Sequence, residues 1–469
     1  MNKRLALFAI LIMGALTGNA QPGKKAALRG SRPNIIFILA DDMGYNDLGT
    51  YNNPWFKTPH IDALAAGGWK FTKAYVNAPN CAPSRACLVT GRFTPVHTIY
   101  TVGSSERGRA TDRKLVPVKN NTVLDTSFYT LAEMLRDAGY ECNLIGKWHL
   151  GEGAFDPAGQ GFEYNAGGNN RGSVHSHFNY KKEIPGFEDL PDSVFLADAI
   201  TEKAIAKIKQ HRNHPYFLYL PYYSVHSPVQ APDKKLIERY KKTIPAGAPY
   251  SPVYAAMMQN LDDNVGKIIA AVKEKNELEN TLIIFFSDNG PVLNYTQVDL
   301  RGEKGSLYEG GIKEPLIMSW KGHLQPGKII DDPVSAVDFY PSFAALAGTK
   351  KQLPQLDGKS LLPLFENKPV QQKTMIWHFP AYLEANRKTT MTWRETPASA
   401  IREGKWKLVV HYETGSQELF DLNADPKETH NLYQQHSAQA ALLKKKLSNY
   451  LEQTGAFVPS VLNPKYRSF

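Results

Sequence analysis

Short runs of consecutive apolar residues alternate along this chain with segments whose apolar positions recur every three or four residues. Asn34 to Ala40 reads Asn-Ile-Ile-Phe-Ile-Leu-Ala, the pattern of a strand buried on both faces, and Glu141 to Ile145, Tyr216 to Leu220 and Thr281 to Phe286 share it. Between them the period lengthens to that of amphipathic helices, over Thr130 to Ala138, about Val194 to His211 and about Tyr254 to Lys275. This order predicts an α/β fold with a large, mostly parallel sheet covered by helices on both faces. After about residue 365 the rhythm changes to extended segments, Trp406 to Tyr412 and Glu418 to Leu422, followed by a helical stretch from Ser437 to Gln453. A smaller C-terminal subdomain is expected there, an antiparallel sheet carrying one helix. The expected division is a leader at 1–20, an N-terminal catalytic domain at 21–365 and the subdomain at 366–469, without internal repeats.

The leader expectation rests on Lys3 and Arg4, an apolar run from Leu5 to Leu16, and the small residues of Gly18-Asn19-Ala20. That run is too short to span a bilayer, and no cysteine follows it to carry a lipid anchor. The expectation is a cleaved signal peptide, a mature start at Gln21, and a secreted or periplasmic protein without a membrane span. Loss of Lys3 and Arg4 lowers the formal net charge from +10 to +8. A modest basic excess suits a polyanionic substrate, but basic residues interleaved with stacking aromatics are missing, which argues against nucleic acid. Three cysteines, Cys81, Cys87 and Cys142, are too few for a disulfide framework, so stability must come from a large core.

Four predicted strands end in polar residues, where open α/β sheets bind ligands. These are Asp41-Asp42, then Gly146-Lys147-Trp148-His149-Leu150-Gly151, then Ser224-Val225-His226-Ser227-Pro228, then Ser287-Asp288-Asn289-Gly290. The aspartates and Asn289 offer hard oxygen donors and no thiolate cage, which favours calcium over zinc or copper. Asp47 is read as a turn or capping residue. The most distinctive stretch is Cys81-Ala82-Pro83-Ser84-Arg85, continuing through Leu88, Thr90, Gly91 and Arg92. Pro83 fits the first turn of a helix, which places Cys81 at or next to a helix N-terminus, where an oxyanion meets unpaired N–H groups.

That stretch resembles the maturation motif C-x-P-S-R…L-x-T-G-R of type I, formylglycine-dependent sulfatases, in the alkaline phosphatase-like superfamily. The resemblance runs from about Asn34 to the stretch Leu419 to Leu432, whose own part is read as structural. It implies that a formylglycine-generating maturation enzyme oxidises Cys81 to 3-oxoalanine, whose hydrate attacks sulfur and later expels sulfate. It further implies one calcium ion held by Asp41, Asp42, Asp288, Asn289 and the oxygen of modified Cys81. Lys147 and His149 then contact the diol, with His149 as the base that releases sulfate, and Arg85 neutralises charge beside it. His226 and Lys304, in Gly302-Glu303-Lys304-Gly305, hold sulfate oxygens and assist the leaving oxygen, and Asp288 is a candidate proton acceptor. Met43, Tyr45 and Asn46 stand where the family often has Leu, Trp and Gly, a change of packing beside the metal.

Selectivity is expected from loops that carry arginines and aromatics. The stretch from Phe93 to Val116 offers His97, Tyr100, Arg107, Arg109 and Arg113. Asn169 to His177 offers Arg171, His175 and His177, and the C-terminal part offers Tyr382, Arg387, Trp393 and Arg394. The mixture suits a sulfated saccharide, a glycosaminoglycan or algal polysaccharide fragment, with oligomeric state open. Two alternatives are a phosphonate monoester or phosphodiester hydrolase of the same superfamily and a catalytically silent glycan-binding protein.

Overall fold

A computed structural model describes residues 28–211, 214–370, 374–385 and 393–467. The expected signal peptide and Arg387 lie outside the described residues. The main sheet contains β1 (Asn34–Ala40), β2 (Trp69–Tyr75), β3 (Glu141–Ile145), β4 (Tyr164–Ala166), β5 (Tyr216–Pro221), β6 (Thr281–Ser287), β7 (Lys313–Ser319), β8 (Lys328–Ile330) and β9 (Val334–Ser335). Its order is β4-β3-β5-β1-β6-β7-β2-β8, with β9 beside β2. β1 is parallel to both β5 and β6, and only β7 runs antiparallel to its neighbours β6 and β2. The mostly parallel sheet is therefore as expected.

Alternation along β1 shows why every residue of that strand is apolar or buried. Ile35, Phe37 and Leu39 enter one core, with the helices Leu131–Asp137 and Phe339–Ala347, while Ile36, Ile38 and Ala40 enter another, with Leu196–Gln210 and Pro252–Glu274. Phe37 meets the Phe339 ring edge-on at 4.9 Å. Local signals agree with the packing: Thr130 and Glu133 form a capping box, and Ser251 precedes Pro252 and accepts from the Tyr254 N–H.

The second sheet joins β10 (Thr374–Phe379), β13 (Ala398–Glu403), β14 (Trp406–His411) and β15 (Gln417–Asp421), all antiparallel. A separate ribbon pairs β11 (Leu383–Glu384) with β12 (Trp393–Glu395). One face of the second sheet packs Ile401, Leu408 and Leu419 against Leu443, Leu447 and Leu451 of the helix Ser437–Gln453. The other face sends Trp377, Ala400, Val409 and Phe420 into the core of the main sheet. The C-terminal region is thus welded to the main sheet by apolar burial and by the buried Lys407, which pairs with Glu309 at 3.1 Å and Glu428 at 2.8 Å. Among the described residues no helix is long and apolar enough to cross a membrane.

Candidate active site

The carboxyl ends of β1, β3 and β6, the segment after β5 and one helix N-terminus converge on a single point. β1 ends in Asp41 and Asp42, and β6 delivers Asp288 and Asn289 beside them because the two strands run in register from Asn34↔Thr281 to Ala40↔Ser287. The Asp288 N–H donates to the Ala40 carbonyl at 3.1 Å, and the Asp42 N–H donates to Asp288 Oδ1 at 3.2 Å. Asp42 adopts a left-handed φ of 59°, which a short polar side chain tolerates better than a branched one. The turn after β1 is held by Asp47, which accepts from the Gly44 N–H at 2.7 Å and from the Tyr254 hydroxyl at 2.6 Å. Asp47 is a turn-capping residue, as read, and it is also fully buried.

Cys81 opens the helix Cys81–Thr90, with Asn80 as N-cap, and is itself buried. Lys304 Nζ donates to Cys81 Sγ at 3.2 Å and to Asp42 Oδ2 at 2.7 Å, so one ammonium bridges the cysteine and the first acidic pair. One turn along, Arg85 places Nε and Nη2 on Asp288 Oδ2 at 2.9 and 2.7 Å and Nη1 on the Lys147 carbonyl at 2.9 Å. Lys147 Nζ donates to Asp41 Oδ2 at 2.6 Å, Asn289 Nδ2 donates to Asp42 Oδ1 at 2.7 Å, and His226 Nε2 lies 3.6 Å from Asp42 Oδ2. All ten residues singled out from the sequence, Asp41, Asp42, Cys81, Arg85, Lys147, His149, His226, Asp288, Asn289 and Lys304, fall in this region, with His149, His226, Lys304 and Cys81 lining one cavity of about 430 Å³.

The electrostatics follow from burial and pairing. Three aspartates face three cations, Arg85, Lys147 and Lys304, so the site is formally neutral. Burial alone would raise the Asp42 carboxyl, yet Lys304, His226 and Lys147 outweigh it and hold it below the usual carboxylate range. Asp288 goes the other way: burial and the adjacent Asp41 push it up to about 6 despite Arg85. Burial, then Lys147, Arg85 and Lys304, pushes His149 well below its ordinary value, which leaves a neutral imidazole at pH 7. Burial also lifts the Cys81 thiol to about 12, so the unmodified side chain is not a thiolate at neutral pH.

A divalent cation fits these residues. Asp41 Oδ1 and Asn289 Oδ1 are buried oxygens with no hydrogen-bond partner among the described residues, an arrangement that is costly unless something else takes their lone pairs. Ligand atoms of Asp41, Asp42, Cys81 and His226 all lie within 4.8 Å of one another.

The specificity residues divide. Arg107 and Arg394 line the cavity, together with Asn80, Gly172, Leu383 and Glu384, which sequence reading did not single out. Several expected contacts are instead structural. Arg113 donates to the carbonyls of Glu106, Arg107 and Gly108 at 2.9 Å each, and Arg171 pairs with Glu183 at 3.2 Å. His97 is buried against Cys87 Sγ at 3.3 Å, the Tyr382 hydroxyl is bound to Glu413 at 2.7 Å, and Tyr100 is buried. His175 binds Glu183 at 2.8 Å, and His177 Nε2 reaches the His226 carbonyl at 3.3 Å, so His177 braces the His226 turn. Arg109 is mostly exposed beside Asp112, and Trp393 packs on Tyr382. No local signal in the sequence separates these arginines, because which way each side chain turns, onto its own loop as Arg113 does or into the cavity as Arg107 and Arg394 do, is set by the folded loop.

A parallel sheet whose strand ends gather buried carboxylates and cations around a helix-terminal cysteine defines a hydrolase site for an anionic ester. Residues 33–349 match the family model described as Sulfatase, and residues 302–456 match the C-terminal model of N-sulphoglucosamine sulphohydrolase. The chain belongs to the sulfatase family and is a sulfatase. It is 29% identical to a sulfatase of Formosa agariphila over 96% of this chain and 92% of that one, and 33% identical to human arylsulfatase A over 84% and 77%. Among solved structures it resembles Ps i-CgsB in complex with k-i-k-neocarrahexaose, with a TM-score of 0.76 and 29% identity over 92% of this chain and 95% of that one.

Proposed function

We propose that this sulfatase releases inorganic sulfate from a sulfated carbohydrate, with Cys81 converted to formylglycine and a calcium ion bound by Asp41, Asp42, Asp288, Asn289 and the modified residue. The observation that carries the reading is the placement of Cys81, buried at a helix N-terminus and touched by Lys304 at the floor of the cavity. A thiol lifted to about 12 is a poor nucleophile there, which supports a modified side chain. Formylglycine supplies a hydrated aldehyde, one hydroxyl for attack on sulfur and a second to expel sulfate, and calcium supplies positive charge for the sulfate oxygens.

The chain's own residues do the rest. Lys304 and His226, 14% and 17% exposed, line the same cavity, where they hold sulfate oxygens and offer a proton to the departing sugar oxygen. Asp288 takes the proton of the attacking hydroxyl. The neutral ring of His149 accepts the proton of the second hydroxyl and so releases sulfate. Lys147 and Arg85, both buried, fix Asp41 and Asp288 and neutralise charge around the nucleophile.

The carbohydrate is supported by the relative solved with a neocarrahexaose and by the polar cavity wall of Arg107, Glu384 and Arg394. Residues 1–20 direct export to the periplasm or beyond, and a formylglycine-generating enzyme is the required partner. The test is sulfate release from a panel of defined sulfated oligosaccharides beside an aryl sulfate and an aryl phosphodiester. Turnover of sulfated sugars is expected. Preference for the phosphodiester would favour the phosphonate or phosphodiester alternative, and saccharide binding without any sulfate release would favour a silent binding protein.

A further inference from the structure

The ribbon β11–β12 brings the C-terminal region to the rim of the catalytic cavity, and its charges are unevenly matched. Arg107 and Glu384 face each other across the rim, Nε to Oε2 at 3.5 Å, and Glu384 Oε1 also accepts the Gly108 N–H at 2.9 Å. Those two charges cancel. Arg394, on β12, has no carboxylate within hydrogen-bond reach among the described residues, and its ion pair with Glu303 is the longer of the two. Its Nη1 donates to the Lys304 carbonyl at 3.0 Å, a neutral acceptor, and its Nε is buried without a hydrogen bond. The facing carboxylate, Glu303 Oε1, stays at 3.7 Å, while Glu303 Oε2 accepts the Leu293 N–H at 3.1 Å. Arg394 is 15% exposed, and its side chain borders two cavities at once. One is the catalytic cavity, and the other, of about 190 Å³, borders Asp42 on its inner side and is edged by Ser227, Asn294 and Tyr295.

A largely desolvated guanidinium gains most from an oxyanion that its planar fork can grip. Resting on the carbohydrate reading above, we propose that Arg394 binds a second anionic group of the substrate. That group is a carboxylate or a further sulfate, on the sugar bearing the scissile ester or on the sugar attached to it. Position selects these two sources: the residue whose carbonyl Arg394 holds is Lys304, which touches the nucleophile, and the second cavity leaves room for a linked sugar. Arg394 is then a specificity residue, distinct from the groups that act on sulfur.

The experiment compares kcat/KM for three disaccharides carrying the same scissile sulfate: one with no other anion, one with a uronate and one with a second sulfate. Wild type, Arg394→Gln and Arg394→Lys are each assayed, with an aryl sulfate alongside. A charge-assisted contact contributes about 1.5–3 kcal/mol, so the ratio of anion-bearing to neutral substrate should fall about tenfold to a hundredfold in Arg394→Gln. Arg394→Lys should retain part of the ratio. Whichever anionic arm shows the fall identifies the group. An equal loss on every substrate, the aryl sulfate included, would mean that Arg394 only positions Lys304, and an unchanged ratio would likewise overturn the proposal. Wild-type turnover of the aryl sulfate with none of the disaccharides would instead sink the carbohydrate reading, and the subsite with it.

Discussion

Replacing Arg85 by Leu tests whether the buried charge pairing beneath Cys81 is as tight as its geometry implies. Arg85 places two N–H groups on Asp288 Oδ2 at 2.9 and 2.7 Å, and both side chains are about 1% exposed. Removing one partner of such a pair leaves an uncompensated buried charge, a loss of about 3–5 kcal/mol. The third N–H, on the Lys147 carbonyl at 2.9 Å, adds an orphaned acceptor. Unfolding entropy of about 2.1 cal/mol/K per residue over a chain of 469 residues is roughly 1 kcal/mol/K, so the expected drop in Tm is about 3–5 °C. Scanning calorimetry should be run in chelator, because a bound cation would itself balance the Asp288 charge. The double variant Arg85→Leu/Asp288→Asn removes both charges and should recover a good part of the loss. A single-variant shift below about 1 °C, or a double variant as unstable as the sum of the two singles, would refute the reasoning.

Gly172→Ala should cut kcat about a hundredfold with little change in Tm, since a Cβ there would lie 2.2 Å from His149 Cε1 and displace the ring; steady-state kinetics beside a melting curve checks this. Chelation should abolish turnover and lower Tm, calcium should restore both, and full activity of ion-free enzyme would contradict the metal assignment. His378 is buried between Ser399 Oγ at 2.6 Å and the Phe457 carbonyl at 3.1 Å, and burial pushes it down to about 4. Its folded value lies below its unfolded value of about 6.5, so the neutral form contributes stability that is present above pH 6.5 and lost as pH falls towards 4. His378→Gln should therefore lose about 3 kcal/mol less than wild type across that interval, measured by denaturant unfolding.

The strands legible in the sequence are those buried on both faces, where apolar residues run together: β1, β5 and β6, with the shorter run of β3 closing on Leu144 and Ile145. β2, reading Trp-Lys-Phe-Thr-Lys-Ala-Tyr, and β7, opening on Lys313 and Glu314, are less obvious because charged residues interrupt them. Glu314 is fully buried with neither carboxylate oxygen hydrogen-bonded, a placement no periodicity announces. The proposed catalytic cluster is legible because its residues sit at strand ends in short, chemically distinctive runs. The cavity wall is not, since an arginine's partner is a tertiary fact: Arg113 closes its own loop on three carbonyls while Arg394 reaches the catalytic cavity. The late stretch around Glu428 is structural, as read: Asp421 and Asp425 cap its turns, accepting from the Asn423 and His430 N–H groups, and Glu428 adds a buried ion pair with Lys407. Glu428 accepts the Glu309 N–H at 2.6 Å and so holds the loop that carries Lys304.

Peptide mass spectrometry of the purified protein, made in a host with the maturation enzyme and paired with an aryl sulfatase assay, tests the central claim most directly. The peptide containing Cys81 should carry an aldehyde in place of the thiol, Cys87 and Cys142 should remain thiols, and activity should scale with the converted fraction and vanish in Cys81→Ala. An unmodified Cys81 in fully active enzyme, or wild-type turnover by Cys81→Ala, would contradict it.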